Sequence, residues 1–265
     1  LKEYNQYLKK TGTKIEKPNK KKYSKQFKIK KEIISKISAE IIAFSNNDIE
    51  TARECGFNFK KYWKTVIPIE SEYLKPTEKA SNDNSNVRTI FCCAYNLNDY
   101  RKGSDLFIKT LNSLDLMLDA KQKIKVLCSK DTNPNIFKFN KISSVYFDYN
   151  EDPKIYSKNY HDSDLFLFTS IADSAPQMLS EALFCGVPVI SFDIANVSEI
   201  ITEENDGSII SNFDTDQMAD KAYNFLFKKK NINSANNKMR RYNKIKEYHR
   251  SDKVLRSFEQ IIIKG

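Results

Sequence analysis

The chain has 265 residues and a formal charge of +10, long enough for one large domain or two modest ones with a real core. It holds no apolar run of about 18 residues, so no segment reads as a membrane-spanning helix, and its lysine-rich start has no apolar signal core. The five cysteines are odd in number and form no C-x-x-C pair, and the two histidines sit in no H-E-x-x-H pattern, which speaks against a disulfide framework or a metal site and for buried thiols in a reducing cytosol.

In chain order, residues 1–40 carry 13 lysines and four glutamates, a net +9, while everything after them nets +1. Leu1 stands where a Met would open a whole chain, as expected of a fragment or processed piece. The run 19–38 reads as a basic helix and "AEIIAFS" (39–45) as a strand. "NNDIETAREC" follows as a helix capped by Asn46 or Asn47, then "KTVIPIE" (64–70) as a second short strand. The polar, aperiodic stretch 71–86 reads as a linker.

A strand–helix rhythm begins after it. "RTIFCCAY" (88–95) has strand length, and 104–118 places apolar residues at 106, 107, 111, 114, 117 and 118, which is helical spacing. "IKVLCS" (124–129) and "SSVYFDY" (143–149) read as strands, 152–163 as a helix and "DLFLFTS" (164–170) as a strand. A helix over Pro176–Cys185 and the strand "VPVISF" (187–192) follow. Continuously apolar strands alternating with helices predict an α/β, Rossmann-like parallel sheet flanked by helices. Two or three helices close the chain, the last (251–263) with apolar positions at 254, 255, 258, 261 and 262, one face that should dock. The stretch 228–250 is basic as well as helical. Together with 1–40 it suits either a solvated surface or attraction to an anionic membrane surface; no nucleic-acid motif accompanies the charge.

In such a sheet, ligands bind beyond the carboxyl ends of the strands. The turns delivered there carry "NLNDYRKG" (96–103), Asn150–Asp152, Asp173 with Ser174, and Asp193–Glu199. Pro176 suits the first turn of a helix, and the N–H groups of Gln177, Met178 and Leu179 would then face an anion. A diphosphate fits there, with Lys102 as its counter-charge. Leu179, Ala182 and Leu183 form the buried stripe, so Glu181 should turn away from the core and towards the cleft. The two acids Asp173 and Glu181, eight residues apart, would each accept from the hydroxyls at one end of a nucleotide sugar. Taken on spacing alone, both acids and Lys102 could equally be ordinary surface residues.

The stretch 168–201, "FTSIADSAPQMLSEALFCGVPVISFDIANVSEII", resembles the signature of the family 4 glycosyltransferases of the GT-B fold: an acid, seven residues, a glutamate, then Ala and Cys-Gly-x-Pro-Val. "NLNDYRKGSDLFIKTL" and "VIPIESEYLKP" resemble other parts of that family, so the likeness covers about 39–211. It implies that Glu181 holds the ribose, Asp173 lies at the donor sugar, and Lys102, beside Arg101, neutralises the diphosphate. It further implies retaining transfer of a sugar from a nucleoside diphosphate to a glycan or lipid-linked acceptor, with no metal and no cofactor besides the donor; a cytoplasmic place is expected, and the lysines of 1–40 add the expectation of attachment at the inner face of the cell membrane. The family often has an arginine where this chain has Asn96, and its Gly-Gly turn is Ala195-Asn196 here. The resemblance divides the chain into 1–86 (remnant acceptor domain and linker), 87–250 (nucleotide-sugar domain) and 251–265 (crossover helix). His161 is expected to be structural, and no side chain stands out as a general base. A nucleotide-sugar-binding subunit that needs a partner chain is the alternative; an epimerase on the same fold would need catalytic groups that are not visible.

Overall fold

The structure is a computed structural model that describes residues 28–34, 36, 40–69, 72–77, 86–92, 100–129, 138–147 and 152–264. Asn96 and most of the N-terminal lysine run lie outside the described residues, as does Cys93.

Helix 28–34 falls within the predicted basic helix. Strand β1 (Glu40–Ala43) and helix α1 (Asn46–Glu54) follow. The cap of α1 is Ser45, not Asn46 or Asn47: its hydroxyl accepts the Asp48 N–H while the Asp48 carboxylate accepts the Ser45 N–H. That reciprocal capping box outcompetes the neighbouring asparagines because it satisfies two N–H groups at once. Strand β2 (Lys61–Lys64) pairs parallel to β1 and begins earlier than "KTVIPIE" suggests. Its four residues match the four of β1, and the apolar run that follows is an irregular segment burying Thr65 and Ile69.

The main body is a six-stranded, all-parallel sheet in the order β5-β4-β3-β6-β7-β8. Its strands are β3 (Val87–Cys92), β4 (Lys123–Ser129), β5 (Ile142–Phe147), β6 (Leu165–Phe168), β7 (Val189–Phe192) and β8 (Gly207–Ile210). Helices α2 (Ser104–Met117), α3 (Pro153–His161), α4 (Gln177–Phe184) and α5 (Val197–Ile200) alternate with them. All four residues of β6 and of β7 are buried, as a sheet covered on both faces requires. The predicted stripe of α4 is inside, with Leu179, Ala182 and Leu183 at most 1% exposed.

Helices α6 (Thr215–Tyr223), α7 (Ala235–Tyr248) and α8 (Ser251–Lys264) close the chain, and Asn224–Lys228 widens the end of α6 into a π-turn. The basic stretch of α7 is partly a fastener. Arg241 is fully buried and donates to the carbonyls of Gly186, Asn205 and Ile232. Arg240 and Lys244 both reach Asp206, which is 1% exposed. These cations are spent on the protein's own acceptors. Helix α8 departs from its predicted docking: Val254 is buried, but Leu255 is 62% and Ile262 79% exposed. No helix among the described residues is long and apolar enough to cross a membrane.

Candidate functional site

The strand order reverses between β3 and β6, and in doubly wound sheets that point opens a crevice at the carboxyl edge. The turn after β3 supplies Arg101, Lys102 and Gly103; the loop after β6 supplies Asp173 and Ser174. Backbone geometry staples the two together. Ile171 N–H donates to the Arg101 carbonyl at 2.8 Å, and the Thr169 hydroxyl to the Lys102 carbonyl at 2.9 Å. Gly103 caps α2 at φ 65°, and a Cβ there would lie 2.0 Å from the Thr169 carbonyl oxygen. Only glycine allows both the conformation and the approach.

The result is a direct meeting of two predicted site residues, Lys102 Nζ lying 3.3 Å from Asp173 Oδ2. The other Asp173 oxygen accepts the Ala175 N–H at 3.3 Å, which leads the chain into α4. Pro176 sits one position before the predicted first turn, as the cap of α4. Its carbonyl takes the N–H groups of Leu179 and Ser180, so Leu179 is not the free donor the sequence suggests. The Gln177 and Met178 N–H groups make no hydrogen bond among the described residues. Arg101 and Ser174 are exposed, Gln177 is exposed and Met178 half-buried.

Glu181 differs from its expectation in one respect. It does turn off the buried stripe, but α3 covers it: Tyr160 Oη donates to Glu181 Oε2 at 2.7 Å. Burial pushes the Glu181 carboxyl above the usual range, and the Tyr160 bond pulls it back. Helical spacing could not reveal this, because the partner comes from another element.

A cavity of about 790 Å³ opens between α1 and this edge. Asn47, Glu50 and Thr51 line one side; Asp173, Asp193 and Ala195 line the other. Ala195, where the sequence resemblance would put a glycine, holds φ 49°, a left-handed turn formed without one. Beyond it, Glu199 accepts from Asn46 N–H, Lys64 Nζ and the Tyr248 hydroxyl. His249 is buried, with Nδ1 2.6 Å from the Ile67 carbonyl and Nε2 2.9 Å from Ser180 Oγ. Glu199, His249 and Tyr160 were not singled out in the sequence as functional, since each acts on a segment distant along the chain. His161 Nε2 meets the Tyr73 carbonyl at 2.8 Å, as a structural histidine would. Among the described residues no three His, Cys, Asp or Glu side chains group as metal ligands.

The family model for "Glycosyl transferases group 1" matches residues 75–246. The chain belongs to the group 1 glycosyl transferases. This group 1 chain is similar in fold to sucrose-phosphate synthase from Thermosynechococcus elongatus (12% identity, TM-score 0.69, covering 91% of this chain and 61% of that one). It is also similar to a glycosyltransferase from Rickettsia africae ESF-5 (16%, 0.64, 94% and 67%). A third likeness is to the Anabaena protein HepE in complex with UDP and glucose (14%, 0.59, 84% and 61%). The chain thus spans about 61–67% of the length of these solved proteins. No curated protein matches it.

Proposed function

We propose that this chain binds a nucleoside-diphosphate sugar and serves its transfer, with retention and without a metal, to a glycan or lipid-linked acceptor. The observation that carries the reading is the Lys102–Asp173 pair, set beside the start of α4 at the switch point of the sheet. A diphosphate at that helix start would meet the free N–H groups of Gln177 and Met178, with Lys102 as the movable cation. As the bond from sugar to diphosphate breaks, negative charge grows on the leaving oxygen, and these donors are fixed to receive it. Asp173, released by Lys102, would accept from donor-sugar hydroxyls, and Glu181 from the ribose.

The cavity against α1 is the natural place for the sugar and the approaching acceptor. Among the described residues its α1 wall is backed by a two-stranded sheet, which favours a form of this reading in which residues beyond the described ones, or a partner chain, complete the acceptor site. The lysines of 1–40 would add attraction to an anionic membrane surface, at about 1 kcal/mol per lysine near the lipid. Calorimetry with UDP and GDP, followed by transfer from labelled UDP- and GDP-sugars into a membrane extract, tests the proposal. Absence of binding to either nucleotide would overturn it. Binding without transfer would favour the donor-binding form.

A further inference from the structure

We propose that Tyr160 is a positioning residue for Glu181: its hydroxyl holds one carboxylate oxygen and leaves the other for the nucleotide. The inference rests on the reading that Glu181 meets the ribose.

Tyr160 is fully buried. Its ring stands edge-on to Phe91 at 4.9 Å and to Tyr156 at 5.5 Å, with Phe166 at 5.8 Å. Packing of this kind fixes the ring, so the hydroxyl has one place to be. It meets two polar groups there, Glu181 Oε2 at 2.7 Å and Tyr156 Oη at 3.2 Å. An ionised carboxylate can only accept. Tyr160 therefore donates to Glu181, and Tyr156 donates to Tyr160. Two phenols on one face of α3 form a one-way chain that ends on the acid. The Glu181 carboxylate makes no other hydrogen bond among the described residues, which leaves Oε1 for a ligand.

The chain matters because burial disfavours the charge. Burial raises the Glu181 pKa, and the Tyr160 hydrogen bond is what lowers it. Among the described residues the titratable groups that act on Glu181 are Tyr160 from α3, itself bonded to Tyr156, and Cys185 at the C-terminal cap of α4. None is a cation. His249 lies on the Ser180 side of α4, bonded to that serine. Without the Tyr160 hydroxyl, burial would act unopposed, and the carboxyl would hold its proton to higher pH and lose its fixed orientation.

Tyr160→Phe removes the hydroxyl and keeps the ring. Carboxyl-carbon NMR of Glu181 should show titration at higher pH in the variant than in the wild type. Affinity for UDP or GDP should fall about tenfold, in line with a lost bond to a charged group, and the acid limb of its pH profile should move upward. A ring that served packing alone would leave that profile in place. Tyr156→Phe, at a half-buried position, should shift both readouts the same way by less, and it stands in if the first variant fails to fold. An unmoved Glu181 titration or an unmoved affinity profile in a folded variant overturns the proposal. A wild-type chain that binds neither nucleotide overturns the ribose reading instead, and the two failures are told apart because the Glu181 titration is read without ligand.

Discussion

Lys64 Nζ lies 2.6 Å from Glu199 Oε2, and this ion pair ties the end of β2 to α5, the short helix after β7. The same carboxyl group accepts the Asn46 N–H at 3.4 Å and the Tyr248 hydroxyl at 3.3 Å. One side chain thus holds both the entry of α1 and the exit of β2 beside the cavity. Glu199→Gln should loosen that wall. Hydrogen exchange of the α1 amides should rise while the β3–β8 sheet stays protected. Global stability should change by about 1 kcal/mol or less, because the pair is partly exposed. Unchanged exchange in α1 would show that other contacts hold the wall.

Gly103 joins the Lys102 turn to the Asp173 loop through the Thr169 carbonyl. Gly103→Ala should cost at least about 1–2 kcal/mol from the left-handed conformation alone, and more from the carbonyl contact. Nucleotide binding should fall with it, since Lys102 is carried by the displaced turn. Urea unfolding and calorimetry on one preparation check both. A variant with wild-type stability would mean that the turn can rearrange at no cost.

The turn also shows what the sequence made legible. Arg101-Lys102-Gly103 and Asp173 stood out as motifs, and the sheet's continuously apolar strands announced burial on both faces. Strand order did not show, because pairing partners leave no local trace, and the four-residue β8, opened by Gly207, carried too little pattern to be read. The cap of α1 was misplaced by one or two positions, where several candidates stand in a row, and α4 begins one residue later than the Pro176 start read from the sequence. Glu181 was placed correctly off the core stripe, but a helical wheel cannot see Tyr160 across the gap to α3. The docking of α8 was inferred from an apolar face, and such a face says only that burial would be favourable.

If Lys102 serves the diphosphate, Lys102→Ala should weaken UDP or GDP far more than uridine or guanosine. Its present partner, Asp173, would lose one long, partly exposed ion pair at 3.3 Å, so the fold should hold. Equal losses for nucleotide and nucleoside would place Lys102 away from the phosphates.

His249 joins three segments, the Ile67 carbonyl, Ser180 in α4 and the end of α7. A carbonyl only accepts, so Nδ1 carries the proton and Nε2 accepts from the Ser180 hydroxyl. Burial lowers its pKa, against the raising effect of the Ile67 bond. The unfolded chain, with a histidine pKa of about 6.5, therefore binds the proton more readily than the folded one. Stability from this group is full above about pH 6.5 and is lost as pH falls below it, towards the folded value. The urea midpoint of the wild type should drop between about pH 7.5 and 5 more steeply than that of His249→Gln. Parallel slopes would show that His249 binds its proton equally well in the folded and unfolded chain.

Glu181 carries the opposite sign. Its folded pKa is raised by burial, so the fold tolerates the neutral acid better than the carboxylate. Stability is lost as pH rises from the unfolded value, about 4.3, through the folded one, and the loss persists at neutral pH. Glu181→Gln removes that cost and still offers Tyr160 an oxygen. The variant should unfold at a urea concentration equal to or above that of the wild type near pH 7.5. Its affinity for a nucleoside diphosphate should fall by about 1.5–3 kcal/mol, the range for hydrogen bonds to a charged group. A site that keeps a costly charge has a use for it, and the two measurements together detect that trade. Undiminished nucleotide binding by the folded variant would remove Glu181 from the site; a clear loss of stability would mean that the carboxylate is held by contacts stronger than burial.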